Sequence, residues 1–320
     1  MNEKNSKAKI IFSIDTELAW ARIHHRNLED YTELLGEYRN AVDWLLESFE
    51  EYDIQATWAI VGHLFLDHCN EPTHPDITRP DYDWVDGDWY QYDPCSNHKD
   101  APFFYAPDII EKIRENRIDH EIGSHSFAHI NFSDSGWSYD AAFDDLAMCQ
   151  KISKEVNNSQ MESFVFPQDK VGNLEALSDA GFKVYRGAGI YDDIRASSKI
   201  RKLFHTLGVC LGLPNEPVSI TKNLGLYNLP LSNHYRLERP LVLTNPYSFV
   251  PLFSKYLSVK NSIRRAIKMR KIAHIGLHPI DFGLNSEKYR NHFKKILEFI
   301  SKSRSNNEID VMTMSDAIDH

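Results

Sequence analysis

Short apolar runs alternate along this chain with longer stretches in which apolar residues recur every three or four positions. Ile10-Ile-Phe-Ser-Ile14 opens the series, and 9–14 reads as a strand. Within 38–52, Val42, Leu45, Leu46 and Phe49 fall on one face of a helix. The same reading predicts strands at 56–61, 120–123, 163–166, 183–185, 226–229, 273–277 and 310–312. It predicts helices at 106–116, 141–156, 173–180 (closed by Gly181), 247–269 and 286–302. Six or seven β–α units in succession imply an α/β fold with a parallel sheet, either open and doubly wound or closed into a barrel. No internal repeat or low-complexity tract interrupts the pattern, so 1–320 reads as a single domain.

One segment breaks the rhythm. Residues 67–102 are rich in Pro, Asp, Trp and Tyr and include Asp86-Gly-Asp88-Trp89-Tyr90 and Asp93-Pro-Cys95. A long insertion inside a compact domain is usually functional or disordered, and its aromatics argue against disorder. It serves either as a sugar-binding loop, with Trp89 and Asp93 as candidate contacts, or as a lid packed on the barrel.

Composition narrows the function. With 42% hydrophobic residues and 12% aromatics the chain builds a substantial core. A formal net charge of −10 argues against nucleic acid or an anionic membrane as the main partner. The basic cluster at Arg264-Arg265 and Lys268–Lys271 reads as one solvated helix face. There is no run of 18 apolar residues to cross a bilayer. The polar N-terminus lacks the apolar core of a signal peptide, so a cytoplasmic location is expected. Cys69, Cys95, Cys149 and Cys210 form no CxxC pair and read as free thiols.

The chemistry concentrates in a few places. His125-Ser-Phe-Ala-His129 puts two imidazoles four positions apart, which on a helical turn leaves about 5–6 Å between Cβ atoms, close enough to share a metal ion. His120-Glu-Ile-Gly123 precedes them as a short strand, so both imidazoles sit at a strand's carboxyl end, where α/β folds gather their chemistry. A third ligand is needed, and Asp15-Thr-Glu17 at the end of the first strand offers two carboxylates. Chemistry-bearing residues after several different strands favour the barrel over the open sheet.

Four motifs follow in order: Ser13-Ile-Asp15-Thr-Glu17, His125-Ser-Phe-Ala-His129, Ser163-Phe-Val-Phe-Pro167 and Gly276-Leu-His278-Pro279. Together they resemble the polysaccharide deacetylase family (NodB homology, carbohydrate esterase family 4) over roughly residues 8–315. The resemblance implies a distorted (β/α)7-type barrel, one divalent metal ion with zinc as the default, and removal of acetyl groups from N-acetylated sugars. It assigns Asp15 as general base, Glu17, His125 and His129 as metal ligands, and His278 as the acid that protonates the leaving amine. The opposite roles for Asp15 and Glu17 stay open, because adjacent acids are the commoner arrangement. Pro167, Gln168 and Arg186 take supporting places. The family carries an Arg after the Phe-Pro; here Gln168 stands there, and Gln supplies neither charge nor a bidentate fork. Either Arg186 or Arg22 substitutes, or Asp15 is poorly held and catalysis is impaired. The expected substrate is a precursor in surface-polysaccharide assembly. The alternatives are amide hydrolysis on a small nitrogen compound and a carbohydrate-binding protein with a degraded site.

Overall fold

The computed structural model describes residues 6–24, 28–71, 74, 76–187, 189, 199–236, 250–284 and 286–319. Its strands are β1 (Ala8–Thr16), β2 (Thr57–Ile60), β3 (Glu121–Ser124), β4 (Ser163–Val165), β5 (Val184–Arg186), β6 (Thr221–Asn223), β7 (Leu226–Asn228), β8 (Asn233–His234), β9 (Ile272–Leu277) and β10 (Ile309–Met312). They form one sheet in the order β6-β7-β5-β4-β3-β2-β1-β9-β8, with β10 also on β1. All the pairings are parallel except that of β6 with β7.

One stretch of chain joins the two ends of that order. Residues 226–235 pair first with β5 through β7 and then with β9 through β8. Leu229 N–H donates to Tyr185 O at 2.9 Å, and Ser232 N–H donates to His274 O at 3.0 Å. The circuit β1, β2, β3, β4, β5, 226–235 and β9 therefore has seven staves, the distorted (β/α)7 barrel expected from the motifs. β9 lies along one edge of β1, and the other edge is shared, β10 at 8–11 and β2 at 13–16. β10 thus wedges into the barrel at the amino end of β1.

Side chains alternate across each stave. Ile11 packs inside with Ala59, Val165, Val184, Leu229, Ile272, Met312 and Met314. Phe12 and Ile14 face outward into the larger core, where the Phe12 ring lies 5.6 Å from Phe49 and 6.0 Å from Phe293. The interior is apolar at the amino end of the staves and becomes polar toward the carboxyl end. Ile11, Ser13, Asp15 and Glu17 share one phase of β1, as do Ile272, His274, Gly276 and His278 on β9.

The helices lie where the periodicity puts them, at Tyr38–Tyr52, Pro107–Glu115, Tyr139–Asn157, Leu174–Asp179, Leu252–Met269 and Glu287–Ser305. Ser138 caps the third of these by accepting Ala141 N–H at 3.1 Å. Residues 247–249 of the expected 247–269 helix lie outside the described residues. The helix Lys199–Cys210, the antiparallel β6 and the two-residue β8 have no counterpart in the sequence reading. β6 and β8 are too short, and β6 too exposed, to carry an alternating signal.

Candidate metal and catalytic site

Asp15 and Glu17 meet at the barrel's carboxyl end because residues two apart on a strand project to the same side. Thr16, between them, turns the other way and is buried. Beyond Thr16 the chain enters a 3-10 turn, Leu18–Arg22. The Tyr38 hydroxyl pins this corner, accepting Glu17 N–H at 3.1 Å and lying 3.4 Å from Asp15 O.

The histidine pair lies on a loop, which corrects the expected helical turn. β3 ends at Ser124, and Ser126 and His129 both adopt left-handed backbone, φ 69° and 56°. Such strain persists only where the surroundings dictate it. Here Asp145 dictates it from the next helix, accepting Phe127 N–H at 2.9 Å, Ala128 N–H at 3.2 Å and Ser126 Oγ–H at 3.0 Å. Ser126 Oγ accepts Ile130 N–H in turn. The imidazole rings end 5.1 Å apart, so the loop reaches by other means the juxtaposition that the spacing suggested.

Glu17 Oε1 lies 3.2 Å from His125 Nε2 and 3.6 Å from His129 Nε2. His125 Nδ1 donates to Val165 O at 2.7 Å, which fixes the tautomer and aims Nε2 at Glu17. His129 Nε2 is buried with no hydrogen-bond partner among the described residues. Two imidazoles and a carboxylate, with one buried nitrogen unpaired, are a chemically apt set for a divalent ion. Burial pushes the Glu17 carboxyl upward, but His278 first, with His125 and His129 close around it, outweighs this and holds it well below its ordinary value.

Asp15 is held differently. Arg186, at the end of β5, grips it bidentately, Nη1 to Oδ1 at 2.6 Å and Nη2 to Oδ2 at 2.7 Å. Nη1 also reaches Ser13 Oγ at 3.0 Å, and Nη2 reaches Asp169 Oδ1 at 2.8 Å. Asp169 Oδ2 lies 3.1 Å from His234 Nε2 on β8. Burial raises the Asp15 carboxyl, yet Arg186 foremost, then His278 and His125, bring it below the usual carboxylate range. Arg186 thus supplies the cation and the fork that Gln168 lacks. Arg22, the other candidate, lies at the cleft's rim with its guanidinium over the Tyr31 ring.

His278 Nε2 completes the centre, 3.4 Å from Asp15 Oδ2, 3.6 Å from Glu17 Oε1 and 3.2 Å from Arg236 Nη2. A cavity of about 380 Å³ opens over these groups, lined also by Tyr38, Gln168, Asp169 and Asp281. Gln168 and Asp169 reach it through left-handed backbone, φ 57° and 58°, after Pro167. Sequence reasoning passed over Asp169, Arg236, Tyr38 and Asp145. The Asp169 position was legible, one residue beyond Phe-Pro-Gln, but its pairing with Arg186 depends on two strands meeting.

Trp89 and Asp93 do not line this cavity. Trp89 is buried and donates its indole N–H to Ala128 O at 2.9 Å. The Tyr82 hydroxyl accepts Asn131 N–H at 2.9 Å, and the His24 ring packs at a tilt 4.1 Å from Trp89. Most of the insertion's aromatic surface is spent on packing against the histidine loop. Trp84 and Tyr92 alone of its larger described aromatics remain about half exposed, at 50% and 54%.

Residues 35–185 match the model of the family described as polysaccharide deacetylase. This region belongs to the polysaccharide deacetylase family. At family level that is hydrolase chemistry on acetyl amides, in sites that generally hold a divalent metal. The matched region contains His125 and His129 of the polysaccharide deacetylase motifs; Asp15, Glu17, Arg186 and His278 lie outside it and join them through the fold. Three solved structures share that fold. A protein named as a polysaccharide deacetylase from Mycobacterium smegmatis superposes with TM-score 0.66 at 13% identity, over 100% of this chain and 92% of its own. Another under that name, from Pseudomonas aeruginosa PAO1, gives 0.59 at 13%, over 98% and 90%. PuuE allantoinase also gives 0.59 at 13%, over 98% and 90%. No curated protein matches the chain by sequence.

Proposed function

We propose that the protein is a metal-dependent deacetylase that removes the acetyl group from an N-acetylated sugar, with a precursor of surface polysaccharide in the cytoplasm as its substrate. The observation that carries the reading is the convergence on Glu17 Oε1 of His125, His129 and His278, beside a carboxylate locked by Arg186. Glu17, His125 and His129 would hold the ion. Zinc is the default for a set of two imidazoles and one carboxylate, and when bound it supplies Lewis acidity toward the acetyl carbonyl and lowers the pKa of water.

The chain's own groups do the proton work. Asp15 is kept ionised and oriented by Arg186, so it accepts the proton of the attacking water. His278, 3.4 Å from Asp15 Oδ2 and lining the same cleft, delivers a proton to the departing amine. Asp169 completes the neutralisation of Arg186, which leaves that cation committed to position Asp15 rather than to bind substrate. Both Asp15 oxygens are taken by the guanidinium, whereas Glu17 is turned toward the imidazoles. This supports Asp15 as base and Glu17 as ligand.

The test is acetate release from carrier-linked and free N-acetyl sugars after loading with zinc or cobalt. Asp15→Asn and His278→Ala are expected to lower kcat by about 10²–10⁴-fold each. A loaded protein that releases acetate from none of these sugars overturns the reading. The fold shared with PuuE allantoinase and the modest cavity make a small cyclic amide the second substrate class to assay.

A further inference from the structure

A second cluster of ligand-type side chains lies apart from the catalytic one. His63, Cys69, His74 and Asp93 each present one donor atom, and the four atoms lie within 4.8 Å of one another. Asp93 Oδ2 sits at the centre of the contacts, 3.0 Å from His63 Nε2 and 3.1 Å from His74 Nε2. Cys69 Sγ lies 3.6 Å from His74 Nε2. Bonds of 2.0–2.3 Å to a tetrahedral ion put donors about 3.3–3.8 Å apart, so the cluster needs only small shifts to close on one.

Hydrogen bonding points the same way. His63 Nδ1 lies 3.2 Å from Phe104 O, and since a carbonyl only accepts, Nδ1 carries the proton. The neutral ring's Nε2 is then a lone pair facing a carboxylate oxygen. That nitrogen is fully buried and has no hydrogen-bond partner among the described residues. Asp93 is also braced from behind, its Oδ1 accepting Cys95 N–H and Tyr105 O–H, both at 3.1 Å. A ligand pair oriented by outer hydrogen bonds is how proteins build metal sites. A cavity of about 310 Å³, lined by Cys69, His74, His68 and Glu71, gives an ion a route in from solvent.

We infer that His63, Cys69, His74 and Asp93 form a second, four-coordinate structural site for a zinc-type divalent cation. It leaves no open position for substrate, so its role is mechanical. It clips the 67–102 insertion to the turn Gly62–Phe65 after β2. That turn touches the catalytic loop directly: Gly62 N–H donates to Ser126 O and His63 N–H to Phe127 O, both at 2.8 Å. His63 also packs 4.3 Å from Trp20, in the turn that follows Glu17. The second ion therefore steadies both arms of the first site. The inference is independent of the deacetylase reading.

Cobalt distinguishes the two sites, because only this one contains a thiolate. The full chain, stripped with chelator and reloaded with cobalt under reducing conditions, is expected to show a thiolate-to-cobalt charge-transfer band in the near ultraviolet. The band should persist in a His125→Ala/His129→Ala variant with about one ion per chain, and in Cys95→Ser. It should vanish in Cys69→Ser, and His63→Gln should weaken cobalt binding at least tenfold. Chelator should lower Tm in the His125→Ala/His129→Ala variant, and leave that variant unmoved once Cys69→Ser is added to it. No charge-transfer band in the loaded parent, a band that survives Cys69→Ser, or a Cys69–Cys95 disulfide in freshly purified protein overturns the inference.

Discussion

Arg186 is the residue on which the candidate site turns. It stands 1% exposed between Asp15 and Asp169, so both carboxylates depend on one buried cation. Removing one partner of such a group strands charge in the interior, at a cost of about 3–5 kcal/mol. Arg186→Met is expected to lose that much in chemical denaturation and to reduce deacetylation by at least tenfold. Gln168→Arg is expected to restore nothing in that background and to gain nothing in the parent. A gain in the parent would mean that Asp15 is poorly held after all. The acid limb of stability carries the same signature. Asp15 and Asp169 sit below their ordinary range despite burial, held there chiefly by Arg186. The native state therefore binds fewer protons than the unfolded chain, whose carboxyls titrate near 4. The stability these two groups contribute is complete above that pH and is lost as pH falls below it. As pH falls below about 4 the metal-free parent should lose more stability per unit of pH than metal-free Arg186→Met.

At the scale of elements, the loop 125–129 is held by its neighbours rather than by its own hydrogen bonds. Asp145 on the helix Tyr139–Asn157 organises it from one side, and Gly62 lies against it from the other. A Cβ at Gly62 would stand 3.0 Å from Phe127 Cα, so even alanine presses on the loop. Asp145→Ala and Gly62→Ala replace no ligand of the His125/His129 site, yet each is expected to weaken metal binding there by about 10–100-fold. Competitive titration against a chelator measures this, and unchanged affinity in both would show the loop to be self-supporting. The seventh stave makes the same point. Residues 226–235 place His234 beside Asp169 and carry the chain to Arg236, beside His278, while their two halves pair with different strands.

At the scale of the whole molecule, the barrel separates a greasy floor from a polar mouth. Met312 and Met314 fill the floor, and Met314 N–H donates to Thr57 Oγ1 at 2.8 Å, so the C-terminal strand acts as a plug beneath β1 and β2. No helix among the described residues is long and apolar enough to cross a membrane. The basic positions Arg264 and Lys268 to Lys271 stand largely exposed along and beyond the helix Leu252–Met269. The described part of the insertion packs on the barrel, as the lid reading expects. Trp89, Tyr82 and Asp93 are turned inward, and its second ligand cluster ties it to the barrel.

Periodicity in the sequence by itself determined the succession of strands and helices, because alternating burial writes a two- or 3.6-residue rhythm into composition. The strand phase also determined that Asp15 and Glu17 share a face, and four spaced motifs pointed to the barrel and to the family that residues 35–185 match. Tertiary structure alone decided what those residues face. Arg186 became the partner of Asp15 because β1 and β5 enclose one interior, a meeting that no local pattern encodes. The His125/His129 pair took a loop in place of a helical turn because Asp145, on another element, competes for the backbone N–H groups. Cys69 read as a lone thiol because its companions His63, His74 and Asp93 lie at irregular spacings on irregular chain. Only the packing of the insertion against the turn after β2 brings them together.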